Sequence, residues 1–233
     1  MEPVVYNAIM KHAEQCAPDE ACGVIIVHSG KEIYWPCRNL SSDREFLLHP
    51  VDYADAEDHG EVTVIVHSHV NAPALPSDAD RRGCEESGLP WVIVAYPGGH
   101  VARLAPSGWK APLVGRQFHY GILDCFTLVR DYYKEIYNID MMDTPRSPGW
   151  EERGEDLFTK NCETRGFHIV SGEPRVGDLL LFQIKYPVPH HIGVYTGDGF
   201  FLHHANNRLS SKDRWAGLWR MATTHILRHE ALA

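Results

Sequence analysis

The 233-residue sequence lacks any apolar run near the roughly 18 residues that a membrane-spanning helix needs. That absence excludes a helical membrane protein. Low-complexity tracts are also missing, and 44% apolar with 23% charged residues describe a folded globular chain rather than a disordered one. Basic residues are in deficit: 31 acids against 22 Lys and Arg leave a net charge of −9 and a pI near 5.9. A chain without a positive field cannot neutralise phosphates well, so nucleic acid is not an expected partner. The opening stretch MEPVVYNAIMKHAEQ has neither the basic head nor the apolar centre of a secretory signal. The six cysteines (Cys16, Cys22, Cys37, Cys84, Cys125 and Cys162) contain no CxxC pair and no dense framework. Disulfides and a thiolate zinc site are therefore not expected, whereas synthesis and folding in a reducing cytosol are.

What is present is organised in two halves. VVYNAIMKHAEQC has helical spacing, CGVIIVHSG and KEIYWPCRNL read as strands, and FLLHPVDYADAEDHG reads as a strand end and a short helix. VTVIVHSH comes next as a buried strand, SDADRRGCEESG as a helix capped by Ser77, and PWVIVAYP as another strand. Strands separated by helices predict a layered α/β domain over residues 1–106. Residues 107–116, in the Pro-, Gly- and Ser-rich stretch APSGWKAPLVGR, predict a linker. The order then changes over residues 117–233. DCFTLVRDYYKEIYNI reads as one long amphipathic helix with Cys125, Leu128, Val129, Tyr132 and Ile136 on one face. The strand candidates GDLLLFQI, HIGVYTG and FFLHHA come close together after it, which predicts an α+β domain with an antiparallel meander.

The first chemical constellation is VHSHVNAPALPSDAD. His67 and His69 stand two apart on a predicted strand, so both leave the same face. Imidazole nitrogen suits Zn²⁺, and Asp80 in the first turn of the next helix offers a third ligand. Two His and one carboxylate leave one tetrahedral position open, the arrangement of a catalytic zinc. Ser77-Asp78-Ala79-Asp80 would equally make a good helix N-terminus with no metal at all. The full spacing, H-x-H-x7-S-x2-D after a buried strand, resembles the JAMM motif of the MPN metalloproteases. That resemblance implies zinc on His67, His69 and Asp80, with Glu20 of PDEACGVIIV taking a proton from the zinc-bound water. It also implies that Ser77 donates a hydrogen bond to the developing oxyanion. Val70 stands where the family often has Pro.

The second constellation is a thiol. Asp124 reads as an N-cap that puts Cys125 at the first helical position, where exposed N–H groups and the helix dipole are expected to lower its pKa. A buried core Cys is the competing explanation. A nucleophilic Cys needs an imidazole and usually a third polar group. HHIGVYTG carries His190 and His191, FFLHHA carries His203 and His204, and the short GDG turn between them predicts a hairpin that gathers all four. DCFTLV, PRVGDLLLF and HIGVYTG resemble the signatures of the NlpC/P60 cysteine peptidases, in which the fold is papain-like. The resemblance implies Cys125 as nucleophile, His191 as base and His203 as the group that orients it, acting on peptidoglycan stem peptides. Phe126 and Thr127 replace the family's usual Ser-Gly, and Tyr120 would match a family Tyr that helps bind the oxyanion.

An MPN domain followed by an NlpC/P60 domain in this order resembles the tail-tip assembly proteins of long-tailed bacteriophages. That resemblance implies other tail-tip proteins as partners, the host cytoplasm during assembly, the virion tail tip afterwards, and delivery to the host wall. It implies action in tail assembly, in wall penetration during DNA entry, or in both. Two alternatives stay open at this point: a structural tail component with relic sites, and a host-encoded wall-recycling peptidase.

Overall fold

The Val- and Ile-rich runs of the first half form a five-stranded sheet in the computed structural model, which describes residues 1–41 and 46–233. The chain divides into two units, Met1–Lys110 and Ala111–Ala233. In the first, helix α1 (Pro3–Cys16) precedes the hairpin of β1 (Cys22–His28) and β2 (Lys31–Cys37). Then come α2 (Pro50–His59), β3 (Glu61–Val70), α3 (Asp78–Ser87), β4 (Trp91–Tyr96) and β5 (Val101–Leu104). The strand order is β2-β1-β3-β4-β5, antiparallel except for β3 and β4. That parallel pair needs a crossover, and α3 provides it. The period of two along β1 sends Ile25 to one face, where Val5 and Ile9 of α1 pack, and Val24 and Ile26 to the other, with Ala56 of α2 and Cys84 of α3. Helices on both faces explain why the central strands are apolar throughout.

The second unit begins its regular structure with α4 (Cys125–Tyr132), which continues as a single π-turn over Tyr133–Tyr137. The expected long helix is thus broken in register. The extra residue of the π-turn rotates the end of the helix, so Ile136 is exposed while Tyr133 is fully buried. The strands are β6 (Phe167–Val170), β7 (Leu179–Phe182), β8 (His191–Gly197), β9 (Phe200–His203), β10 (Ser211–Arg214) and β11 (Thr223–His229), with the short α5 (Leu218–Ala222) before β11. All pairings are antiparallel in the order β10-β9-β8-β7-β11-β6. The anticipated meander is β7-β8-β9. Strands β6, β10 and β11 were not anticipated: FHIV is only four residues long, SKDR has no apolar residue, and TTHILRH has only Ile226 and Leu227. Leu128 and Val129 of α4 pack on Leu179, Leu181, Ile192, Val194 and Leu202, while Phe182, Phe201 and Trp215 fill the opposite face of the sheet. No described helix is long and apolar enough to cross a membrane.

Candidate functional sites

In the first unit β3 carries both His67 and His69, and the loop after it returns through α3, which brings Asp80 to face them. His67 Nε2 lies 3.0 Å from Asp80 Oδ1, His69 Nε2 lies 3.5 Å from Asp80 Oδ2, and the two Nε2 atoms are 3.2 Å apart. The three residues each offer a ligand atom within 4.8 Å of the others. His69 Nδ1 sits 2.9 Å from the carbonyl of Pro73, so Nδ1–H donates there and the Nε2 lone pair is left for the site. His67 is buried, its ring stacked on Phe46 at 4.3 Å and edge-on to Trp91 at 5.7 Å between centroids. Burial lowers the pKa of His67, which keeps it a neutral ligand. Burial also works against charge on Asp80, but hydrogen bonds from both imidazoles and from the Ser77 N–H hold it well below the usual carboxylate range. Two neutral-capable imidazoles and an ionised carboxylate are a donor set that fits Zn²⁺.

The helix cap and the ligand set, which compete on paper, coexist in space. Ser77 N–H donates to Asp80 Oδ2 at 2.7 Å and Asp80 N–H donates to Ser77 Oγ at 3.1 Å, a reciprocal capping box. The cap fixes Asp80 with its carboxylate turned to the histidines. Ser77 accepts in that bond, so its own hydroxyl hydrogen remains available. Ser68, between the histidines, is a pin: its N–H donates to Ala21 O and its hydroxyl accepts from Ala21 N–H, both at 2.9 Å. That pairing draws the residues before β1, Glu20 among them, alongside the histidine strand. Glu20 is buried, its backbone carbonyl accepts from Asn39, and its charge helps raise the pKa of His69. It also lines a cavity of about 550 Å³ with Trp35, Arg38 and Asn39.

In the second unit Asp124 caps α4 as the spacing predicts. Its Oδ1 accepts from the N–H groups of Phe126 and Thr127, both at 3.0 Å, and Thr127 Oγ1 accepts from Asp124 N–H at 2.8 Å. The Thr that departs from the family's Ser-Gly therefore completes the capping box. Cys125 is half-buried at the first turn, with its sulfur against the N–H of Ile192, the residue after His191. The thiol is not lowered, contrary to the helix-dipole expectation. Burial pushes it up to about 12, and the neighbouring Asp124 carboxylate adds to the rise. The N–H groups of Ile192 and Phe126 pull the other way but do not outweigh burial, and Phe126 N–H is shared with Asp124. Arg146 offsets part of this: its Nε donates to Asp124 Oδ2 at 2.8 Å, with both side chains almost wholly buried. Sequence offered no signal for Arg146, which lies in an irregular segment 22 residues from Asp124.

The four histidines separate into a pair and two bystanders. His191 Nε2 and His203 Nδ1 are 2.9 Å apart, diagonal across β8 and β9, where Gly193 is the residue directly opposite His203. A Cβ on Gly193 would lie 3.1 Å from that of His203 and 2.8 Å from the Leu202 carbonyl, so glycine is what lets the rings meet. Trp219 of α5 closes over the pair at 5.5 Å and 4.7 Å between centroids, and Phe182 lies 5.6 Å from His191. Burial, then the neighbouring imidazoles, hold His191 well below its ordinary value, and burial lowers His203 too. His203 Nε2 stands 3.1 Å from Asp213 Oδ2 of β10, a close contact bent away from a linear hydrogen bond. His190 turns to the Val188 carbonyl and the Tyr186 ring, and His204 is fully buried on Phe118. Tyr120 donates to Ser147 O at 3.3 Å.

Residues 2–106 match the Prok-JAB family, prokaryotic homologs of the JAB domain, and residues 115–228 match the NlpC/P60 family. The chain is 38% identical to tail tip assembly protein K of Escherichia phage N15 over 99% of this chain and 96% of that one. With tail tip assembly protein K of Escherichia phage lambda the identity is 37%, over 79% of this chain and 90% of that one. A CysO-cysteine peptidase of Mycobacterium tuberculosis (strain ATCC 25618 / H37Rv) is 32% identical over 38% of this chain and 67% of its own.

Proposed function

The chain belongs to the tail tip assembly protein K family, with a JAB domain followed by an NlpC/P60 domain, and from that premise we propose that it is a virion tail protein with two hydrolytic sites. The second unit is a cysteine endopeptidase acting on peptidoglycan stem peptides, and the first a zinc-dependent peptidase acting on a peptide or isopeptide bond. The observation that carries the reading is the His191–His203 contact at 2.9 Å beside the N-terminus of the Cys125 helix. With Nε2 engaged by His203, Nδ1 is the nitrogen of His191 left to serve the thiol. As sulfur attacks the amide carbon, His191 Nδ1 takes the thiol proton; as the C–N bond breaks, it returns that proton to the leaving amine. Water then releases the acyl group by the same base. Because the thiol is raised and His191 lowered, the resting pair is neutral, and proton transfer accompanies attack instead of preceding it.

In the first unit His67, His69 and Asp80 would hold the metal. Zinc, when bound, supplies Lewis acidity to a carbonyl and makes a water acidic enough to react near neutral pH. Glu20 accepts the proton from the attacking water and passes it to the leaving nitrogen, and the Ser77 hydroxyl donates to the oxyanion. Assembly in the host cytoplasm and carriage at the tail tip would deliver the cysteine site to the wall. The test is digestion of purified peptidoglycan by the full chain and by Cys125→Ala. Wild type should release soluble muropeptides and the variant should release at least ~1,000-fold fewer, the scale of losing a nucleophile. Equal release, or none by either, would leave a structural tail component as the better account.

A further inference from the structure

We propose that Asp213 is a positioning residue of the cysteine site, the fourth member of a relay that runs Cys125–His191–His203–Asp213. The inference rests on the cysteine-peptidase reading and adds a residue that neither the sequence signatures nor the nucleophile–base pair supplies. Proton placement carries it. An imidazole in its neutral form has one N–H and one lone pair, so each contact fixes the tautomer of the ring. His203 Nε2 is buried, and the acceptor beside it is the Asp213 carboxylate at 3.1 Å. The contact is bent, but a lone pair held 3.1 Å from a carboxylate that only accepts would be repelled, so Nε2 of His203 carries the hydrogen and its Nδ1 keeps the lone pair. That lone pair is 2.9 Å from His191 Nε2, which must then carry the hydrogen of its own ring. His191 Nδ1 is left as the lone pair, the form that can take a proton from sulfur. The acid at the far end thereby decides the basicity of the atom at the near end.

The edge strand is built to hold this acid. Ser211 lies directly opposite His203 in the β9–β10 register, and Asp213, two residues on, shares its face. Ser211 Oγ donates to Asp213 Oδ1 at 3.0 Å, and Arg208 Nη1 lies 3.3 Å from Oδ2. Partial burial would favour the protonated acid, but these contacts and His203 keep it ionised. The charged and titratable groups facing the relay are then Asp213 from β10, Arg208 from the preceding loop, His190 beside β8, and Cys125 with its Asp124–Arg146 pair from α4. His204, the residue just past β9, completes that set.

Asp213→Asn is the informative variant, because its amide can present N–H to His203 Nε2 and reverse the chain of tautomers. Nitrogen-15 NMR of the full chain should show the Nε2–H tautomer for both His191 and His203 in wild type. In Asp213→Asn it should show Nδ1–H for one or both. Alkylation of Cys125 by iodoacetamide at pH 8 should slow roughly tenfold or more in Asp213→Asn, since a wrong tautomer removes the base. Asp213→Glu should restore the rate to within about threefold, and Lys212→Gln, on the opposite face, should leave it unchanged. Wild-type His203 in the Nδ1–H form would overturn the proposal, as would Asp213→Asn with unaltered tautomers and alkylation rate. If the tautomers respond as expected while peptidoglycan is untouched, the positioning role stands and the peptidase reading alone falls.

Discussion

In each unit the candidate site lies where a helix N-terminus meets a strand bearing histidine, and each helix is fixed by a capping box with an Asp in it. The two acids are used in opposite senses. Asp80, at the third helical position, spends one oxygen on the Ser77 N–H and presents the carboxylate to His67 and His69. Asp124, at the cap itself, turns inward to the N–H groups of Phe126 and Thr127 and to Arg146. The first arrangement gathers negative charge where a cation would bind. The second sets negative charge beside the Cys125 sulfur, which adds to the rise of the thiol, and Arg146 offsets part of it. A capping acid is thus a ligand or an obstacle according to which side of the helix end its oxygens face.

The largest effect that would break the comparison is loss of the metal. His67→Ala should reduce bound zinc from about one per chain to under a tenth after dialysis, because two ligands do not hold the ion against water. Metal analysis measures it, and unchanged zinc content would remove the first unit from the comparison. The second test acts on the compensating charge. Arg146→Met leaves Asp124 buried without its cation and should cost about 3–5 kcal/mol of the second unit's stability in urea unfolding. A double variant with Asp124→Asn should recover part of that; a loss under about 1 kcal/mol would mean the pair is not under strain from burial. The smallest effect is on pH. His191, His203 and His204 are all held below their ordinary value by burial, His204 down to about 4. Below 6.5 the unfolded chain therefore binds more protons than the folded one, so stability falls as pH drops from about 6.5 toward 4. The melting temperature of the second unit should decline by several degrees across that window, and a flat or rising profile would contradict the buried neutral histidines.

Much of the fold was legible because its signals are local. Alternating Val and Ile in β1, β3 and β4, the Ser77 and Asp124 caps, and the GDG turn each act within a few residues, and the mixed α/β and α+β organisation came from them, while the MPN and NlpC/P60 types came from the motif resemblances. The histidines of β3 were equally open, since a spacing of two on one strand fixes their face before any packing occurs. The short strands β6 and β10 were not, because four residues are too few for an alternation to show and edge strands pair only when the rest of the sheet is in place. Ile136 pointed the wrong way for a related reason: nothing in KEIY announces a π-turn.

The sequence by itself determined which residues could do chemistry, since histidine, cysteine and acid types and their spacing are covalent facts. Tertiary structure alone decided their ionisation and their order. The pKa of Cys125 depends on how tightly α4 is packed, on where the Asp124 oxygens point and on an Arg 22 residues from that acid. The separation of His191 and His203 from His190 and His204 depends on the face each presents across the β8–β9 register. Charge is set by distance and burial, and neither exists until remote segments have met.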